Sequence, residues 1–274
     1  NCTVQIMLTI GKFFIIIGFL SLCITSYNFL FCSDSNILIE EANIIESSKD
    51  SIFDIKKGIR LKIKENNLSG IDIPILIDDY MRDNFSHRTV YVSLCDNWLL
   101  GVLDAIFPDY YFNVELDTDK IALTKSGICS QNATVFQEIV KDFGFVVGSV
   151  RFSSSRFKHF ASAVLVDKDW YFFDPNQKPS YDRRNPDIFK KIISSDKVII
   201  KRIYSNQVKN GVISVKNLKK GEIALGDINK FPAYRGLLVQ NITLFFSQYA
   251  WILFIFIGII FIVLSDRKKL VEDE

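Results

Sequence analysis

An excess of one charge is what this chain lacks: 33 basic residues face 31 acidic ones. That balance removes the electrostatic footprint of a nucleic-acid-binding protein, so no nucleic-acid partner is expected. Histidine is scarce, with only His87 and His159, and no Cys-x-x-Cys pair occurs. A zinc-type ligand set therefore has too few members, and no metal is expected. Gly144 and Gly148 are too sparse to form a phosphate-cradling loop, which leaves no cofactor in the expectation. Five cysteines are too few for a disulfide scaffold. No internal repeat or low-complexity tract occurs either.

What the chain has in abundance is apolar sequence, concentrated at its two ends. Phe13 to Phe31 carries no charge over 19 positions, and Ile242 to Leu264 none over 23. Each run is long enough to cross a hydrocarbon core of roughly 30 Å as a helix. The first is read as an uncleaved anchor, because no small-x-small cleavage site follows it and Tyr27-Asn28-Phe29-Leu30-Phe31 is a poor match to one. Arg267, Lys268 and Lys269 behind the second run, with Lys12 before the first, set both ends in the cytoplasm. Residues 33–241 are then extracytoplasmic, periplasmic or at the cell surface, and the lipid bilayer is one partner. If Cys32 and Cys95 pair, Cys129 remains as the free thiol of that domain.

The expected organisation is an anchor over 1–32, a helical lead-in over 33–85, a core over 86–205, an extension over 206–241, a second span over 242–264 and a tail over 265–274. Apolar residues at helical spacing predict a helix from Asn36 to about Lys64 and another from Ile71 to Phe85. Gln131 to Asp142 continues the helical pattern, with Gly144 as its stop. Strands are expected over Phe145–Phe152, Phe160–Val166, Trp170–Phe173, Val198–Tyr204 and Val212–Val215, the second and third forming a hairpin around Asp167-Lys168-Asp169. A helix followed by several antiparallel strands is the α+β class.

Three residues in the core carry chemistry in a fixed order. Cys129 sits where Gly127-Ile128-Cys129 enters a helix, and unpaired N–H groups there favour a thiolate. His159 stands before an apolar strand and is the expected base, whereas His87 lies in a polar connection upstream of the cysteine. Asp174, between Phe173 and Pro175, would orient His159 and fix its tautomer. A hairpin pairing 165 with 170, 163 with 172 and 161 with 174 puts His159 and Asp174 on one face, and a slip of one residue would separate them.

Gly127-Ile128-Cys129-Ser130-Gln131, His159-Phe160-Ala161 and Asp169-Trp170-Tyr171-Phe172-Phe173-Asp174-Pro175 together resemble the core of the transglutaminase-like superfamily, which is similar to papain-type proteases in its Cys-His-Asp triad. The resemblance spans roughly residues 90 to 205. It implies a nucleophile helix packed on an antiparallel sheet, here between two transmembrane helices, and acyl transfer through a Cys129 thioester. It also implies an oxyanion held by the Cys129 backbone N–H, with Trp98 and Gln131 as candidates for oxyanion or substrate binding. Ser130 and Ala163 depart from the crosslinking enzymes of animals, and no calcium pattern occurs, which argues against protein crosslinking.

The favoured expectation is a membrane-anchored hydrolase or transferase, a cysteine protease, amidase or acyltransferase, acting on a protein or peptide substrate or an envelope polymer. The alternative is a catalytically inactive binding or assembly module with the same fold. Arylamine-type acetyl transfer shares the triad, but its acyl donor lies on the cytoplasmic side.

Overall fold

The computed structural model describes residues 2–31, 37–39, 50–93, 95, 97–107, 112–153, 158–211, 219, 221–230 and 234–272. In chain order the elements are α1 (Cys2–Phe31), β1 (Ile37–Ile39), α2 (Ile52–Glu65), α3 (Asp72–Asn84), β2 (Val90–Val92), α4 (Trp98–Ile106), α5 (Thr118–Thr124) and α6 (Cys129–Asp142). They continue as β3 (Val146–Ser153), β4 (Lys158–Val166), β5 (Asp169–Phe173), α7 (Asp187–Ile193), α8 (Lys197–Ile203), α9 (Ser205–Lys209), β6 (Ile223–Ile228) and α10 (Tyr234–Glu272). Contacts divide the chain into two units, one of residues 1–38, 92–114 and 236–274, the other of 39–91 and 115–235.

The first unit is built on the two apolar helices. Thr3–Asn28 and Arg235–Leu270 are each long and apolar enough to cross a membrane. They run antiparallel and approach closely where side chains are smallest: a Cβ on Gly18 would lie 3.0 Å from the Ile255 nitrogen, and one on Gly258 2.8 Å from the Gly11 carbonyl. Small residues at such a contact let two backbones pack without a hydrophobic driving force between them. Thr25 donates to the Ser247 carbonyl (2.9 Å) and Ser265 to that of Val4 (3.0 Å), which ties the pair at both ends. Phe13, Ile16, Phe245 and Phe256 remain exposed on the outside. Asn97, ahead of α4, donates to Thr243 (2.9 Å) and accepts from Ser247 (2.9 Å).

The second unit is a mixed helix and antiparallel-sheet body in three layers. Its four-stranded sheet has the order β5-β4-β3-β6. On one face α2, α3, α5 and α6 pack through Ile59, Ile77, Ile121, Phe136 and Ile139 onto Val147, Val164 and Phe173. On the other, α7 and α8 pack through Ile192, Ile199, Ile200 and Ile203 onto Val150, Ala161, Ala163 and Phe172. Alternation along each strand feeds both cores, so even-numbered β4 residues serve one and odd-numbered the other.

The hairpin has the expected register, with Leu165 opposite Trp170 and Ala163 opposite Phe172. Its loop is shorter than expected, because Val166 pairs with Asp169 and only Asp167-Lys168 turn, Asp167 at φ 55°.

Other expectations need correction. Val198–Tyr204 is not a strand: Asp196 accepts from the Val198 and Ile199 amides and starts α8, whose buried Ile199, Ile200 and Ile203 recur at helical spacing. Its β-branched content had pointed to a strand, but burial on one stripe and the cap prevail. The lead-in helix begins at Ile52 behind a Ser51–Asp54 capping box, and Ile37–Ile39 is a strand. Strand β6 and helix α7 were not foreseen. Val212–Val215 lies outside the described residues.

Candidate active site

Cys129 is the first residue of α6, and the start of that helix is braced by Gln131. Oε1 of Gln131 accepts from the amides of Ile128 (3.1 Å) and Val90 (3.2 Å), while Nε2 donates to the carbonyls of Val90 (2.8 Å) and Glu115 (2.7 Å). The amide is buried, and both of its ends are occupied by backbone groups. It is a strut that aims the helix. Gly127 is required nearby, since a Cβ there would collide with the Asn132 side chain.

His159 is the second residue of β4 and Asp174 follows the end of β5, so antiparallel pairing brings both to the same end of the sheet. Nε2 of His159 donates to Oδ2 of Asp174 at 2.7 Å. A side-chain hydrogen bond also links His159 to the Cys129 thiol. The backbone N–H of Phe160 also donates to the sulfur. All of this lies within the second unit.

Asp174 is 1% exposed and satisfied on both oxygens. Tyr204 donates its hydroxyl to Oδ2 (2.8 Å) beside His159, and Asn176 donates to Oδ1 from its backbone (3.1 Å) and from its side chain (3.3 Å). Four donors use the four acceptor positions of a carboxylate. Asn176 also accepts from Nδ2 of Asn132 on α6 (2.9 Å) and lies 3.3 Å from Nδ1 of His87. His87 thus reaches this neighbourhood through Asn176. The imidazole of His159 sits between Phe152 (5.6 Å between centroids) and the ring of Tyr204 (5.4 Å, 77° between planes).

These contacts set the charge states. Burial alone would raise the Cys129 thiol, but hydrogen bonding and charge from His159, with the Phe160 amide, bring it below its ordinary value of 9.0. Burial would lower His159, yet the charge and hydrogen bond of Asp174 prevail and raise it to about 10. Burial would likewise raise Asp174, and His159, Tyr204 and Asn176 together hold it below 3.8. A depressed thiol beside an elevated imidazole favours the thiolate–imidazolium form of the pair.

Beside the acid, a cleft of about 440 Å³ opens between α3 and the segment after β5, lined by Arg82, His87, Asn132, Asn176, Gln177 and Lys178 among others. Its floor is fastened by Arg183, which bonds Asp78 (2.7 Å) and Asp79 (2.7 Å), and by Arg82, which bonds Asp78 and donates to the Gln177 carbonyl (2.7 Å).

Trp98 belongs to the first unit, where its indole N–H donates to the Ser247 carbonyl at 3.1 Å. That N–H is directed at α10. Cys95 is disulfide-bonded, and Cys23 and Cys129 are free among the described cysteines. The expected partner, Cys32, lies outside the described residues.

Tyr204, Asn176 and Asn132 were missed in the sequence. Asn176 had a local signal, being two residues beyond Asp174. Tyr204 had none, because it is separated from Asp174 by 30 positions and reaches it only through the packing of α8.

No protein-family model matches the chain. No curated protein matches it. Among solved structures, a candidate cysteine protease from Cytophaga hutchinsonii is similar over 50% of this chain and 43% of its own, at 13% identity and a TM-score of 0.29. The matched part is thus less than half of that protein, and the likeness is too slight to bear on activity.

Proposed function

We propose that this chain is a membrane-anchored, cysteine-dependent acyl-transfer enzyme with a transglutaminase-like core. The carrying observation is the imidazole of His159, bonded to Asp174 through Nε2 at 2.7 Å and hydrogen-bonded to the Cys129 thiol.

In this reading the Cys129 thiolate attacks an amide or ester carbonyl and forms the C–S bond of a tetrahedral intermediate. The oxyanion is held by the Cys129 backbone N–H, which has no i−4 carbonyl inside α6 because Cys129 opens the helix. His159 gives its proton to the leaving amine or alcohol, the scissile bond breaks, and a thioester remains. Water or an amine then attacks that thioester, its proton passes to His159, and the thiolate is released. Asp174 stays ionised throughout and keeps the imidazole in one tautomer. The acid, the imidazole and the thiol each have one task, and no metal or redox step enters.

Arg267, Lys268 and Lys269 after the second span support a cytoplasmic C-terminus. A bonded Cys95 supports an oxidising compartment for the segment between the spans. The substrates are accordingly proteins, peptides or polymers of the cell envelope.

The test is labelling of membranes that carry the full chain with an electrophilic thiol probe at pH 6. Fast modification of Cys129 that disappears in His159→Ala is the expected result. Slow modification indifferent to His159 would overturn the reading, and the fold would then serve as a binding module.

A further inference from the structure

Resting on that proposed chemistry, we propose that Tyr204 is a positioning residue of the site: its hydroxyl holds the same Asp174 oxygen that accepts from His159, and its ring packs edge-on against the His159 imidazole.

The geometry separates Tyr204 from the other donors to this carboxylate. Asn176 is two residues from Asp174 and bonds it as part of a local turn, a pattern that asparagine and aspartate adopt for conformational reasons alone. Tyr204 comes from another element. It caps the C-terminal end of α8, is fully buried, and arrives at Oδ2 at 2.8 Å. With His159 at 2.7 Å on the same oxygen, the two donors define the direction in which the carboxylate faces. Asn176 holds Oδ1 with or without Tyr204, and Tyr204 supplies the second donor on the oxygen that faces the imidazole.

The ring contributes separately. Phe152 and Tyr204 are 5.4 Å apart at 77°, and each contacts His159, so the imidazole is one corner of an aromatic triangle. The triangle therefore confines the imidazole ring. The titratable and charged groups around Asp174 are His159 on β4, Cys129 on α6, Tyr181, Tyr204 and, from α3, Asp78 with its Arg82 and Arg183 partners. Among these, the side chains that donate to Asp174 are His159 and Tyr204.

The experiment measures alkylation of Cys129 against pH in the full chain, by mass spectrometry of the Cys129 peptide, for wild type, Tyr204→Phe and a protein with 3-fluorotyrosine at 204. Phenylalanine keeps the ring and deletes the hydroxyl, and thermal melting establishes that each protein is folded. Tyr204→Phe should move the acid limb up by about half a pH unit and so lower the rate on that limb about threefold, because an acceptor that loses a donor protonates more easily. Fluorotyrosine, a stronger donor of the same shape, should move that limb down. A Tyr204→Phe profile that superimposes on wild type, with only the melting temperature lowered, overturns the assignment alone. A wild type whose alkylation ignores His159→Ala overturns both this assignment and the proposed chemistry.

Discussion

Asn132 on α6 donates its side-chain amide to Oδ1 of Asn176 at 2.9 Å, and Asn176 in turn donates to Asp174. The acid of the site is therefore tied to the helix that carries the thiol by a route independent of His159. Asn176→Ala removes the side-chain half of this tie and leaves the backbone donor. It should lower Cys129 alkylation about tenfold and cost about 1 kcal/mol of stability. Rates and denaturant melts of the same preparation would check both, and unchanged rates would reduce the tie to a structural role.

The pH dependence of the thiol follows from its partners. In wild type, His159 holds the Cys129 thiol below 9.0 against its burial. In His159→Ala only the Phe160 amide still opposes burial and the Asp174 charge, so the thiol should titrate higher than in wild type, and alkylation at pH 6 should collapse. The imidazole keeps its proton up to about 10 in wild type, so turnover that needs imidazolium as the acid should fall above that value while alkylation does not. Parallel rate profiles with a thiol probe and with a peptide-amide or ester substrate would separate the two limbs.

Asp174→Asn takes away the leading influence that raises His159. The imidazole should then lose its proton at lower pH, and the alternative tautomer becomes accessible. Activity should fall by about a thousandfold while Cys129 remains present and free. A drop of less than about threefold would contradict the orienting role.

Gln131 and Cys129 should behave oppositely on substitution. Gln131→Ala leaves the Val90 amide and the Val90 and Glu115 carbonyls without their partner in a buried setting, a loss of about 3 kcal/mol or more. Cys129→Ala removes one half-buried sulfur and should leave the melting temperature nearly unchanged. Calorimetry of both variants in detergent is the measurement.

The close approach of the two apolar helices depends on Gly11, Gly18 and Gly258. At Gly18 a new Cβ meets Ile255 at 2.6 Å and backbone at 3.0 Å, so Gly18→Val must push the helices apart. Cysteines placed at Val4 and Ser265, which are hydrogen-bonded at 3.0 Å, should crosslink readily in wild type and poorly in that variant. Equal crosslinking would mean that the contact does not hold the pair.

Local sequence determined the elements whose pattern is strong and self-contained. Uncharged runs of 19 and 23 residues dictate apolar helices whatever surrounds them. The alternation through Phe160–Val166 and Trp170–Phe173, with a short polar turn, dictates a hairpin and its register, because a slip would turn every core residue to the wrong face. That register also brings His159 and Asp174 to the same end of the sheet. Tertiary structure decided the rest. The stretch Lys197–Ile203 is β-branched yet helical, since a cap at Asp196 and a buried stripe outweigh propensity. Gln131 lies in the motif but braces the backbone, and Trp98 spends its N–H on Ser247. Tyr204 reaches Asp174 only because α8 packs across the sheet. Hydrogen bonds between residues far apart in the chain leave no periodic mark in it, so long-range packing alone chooses which polar groups meet.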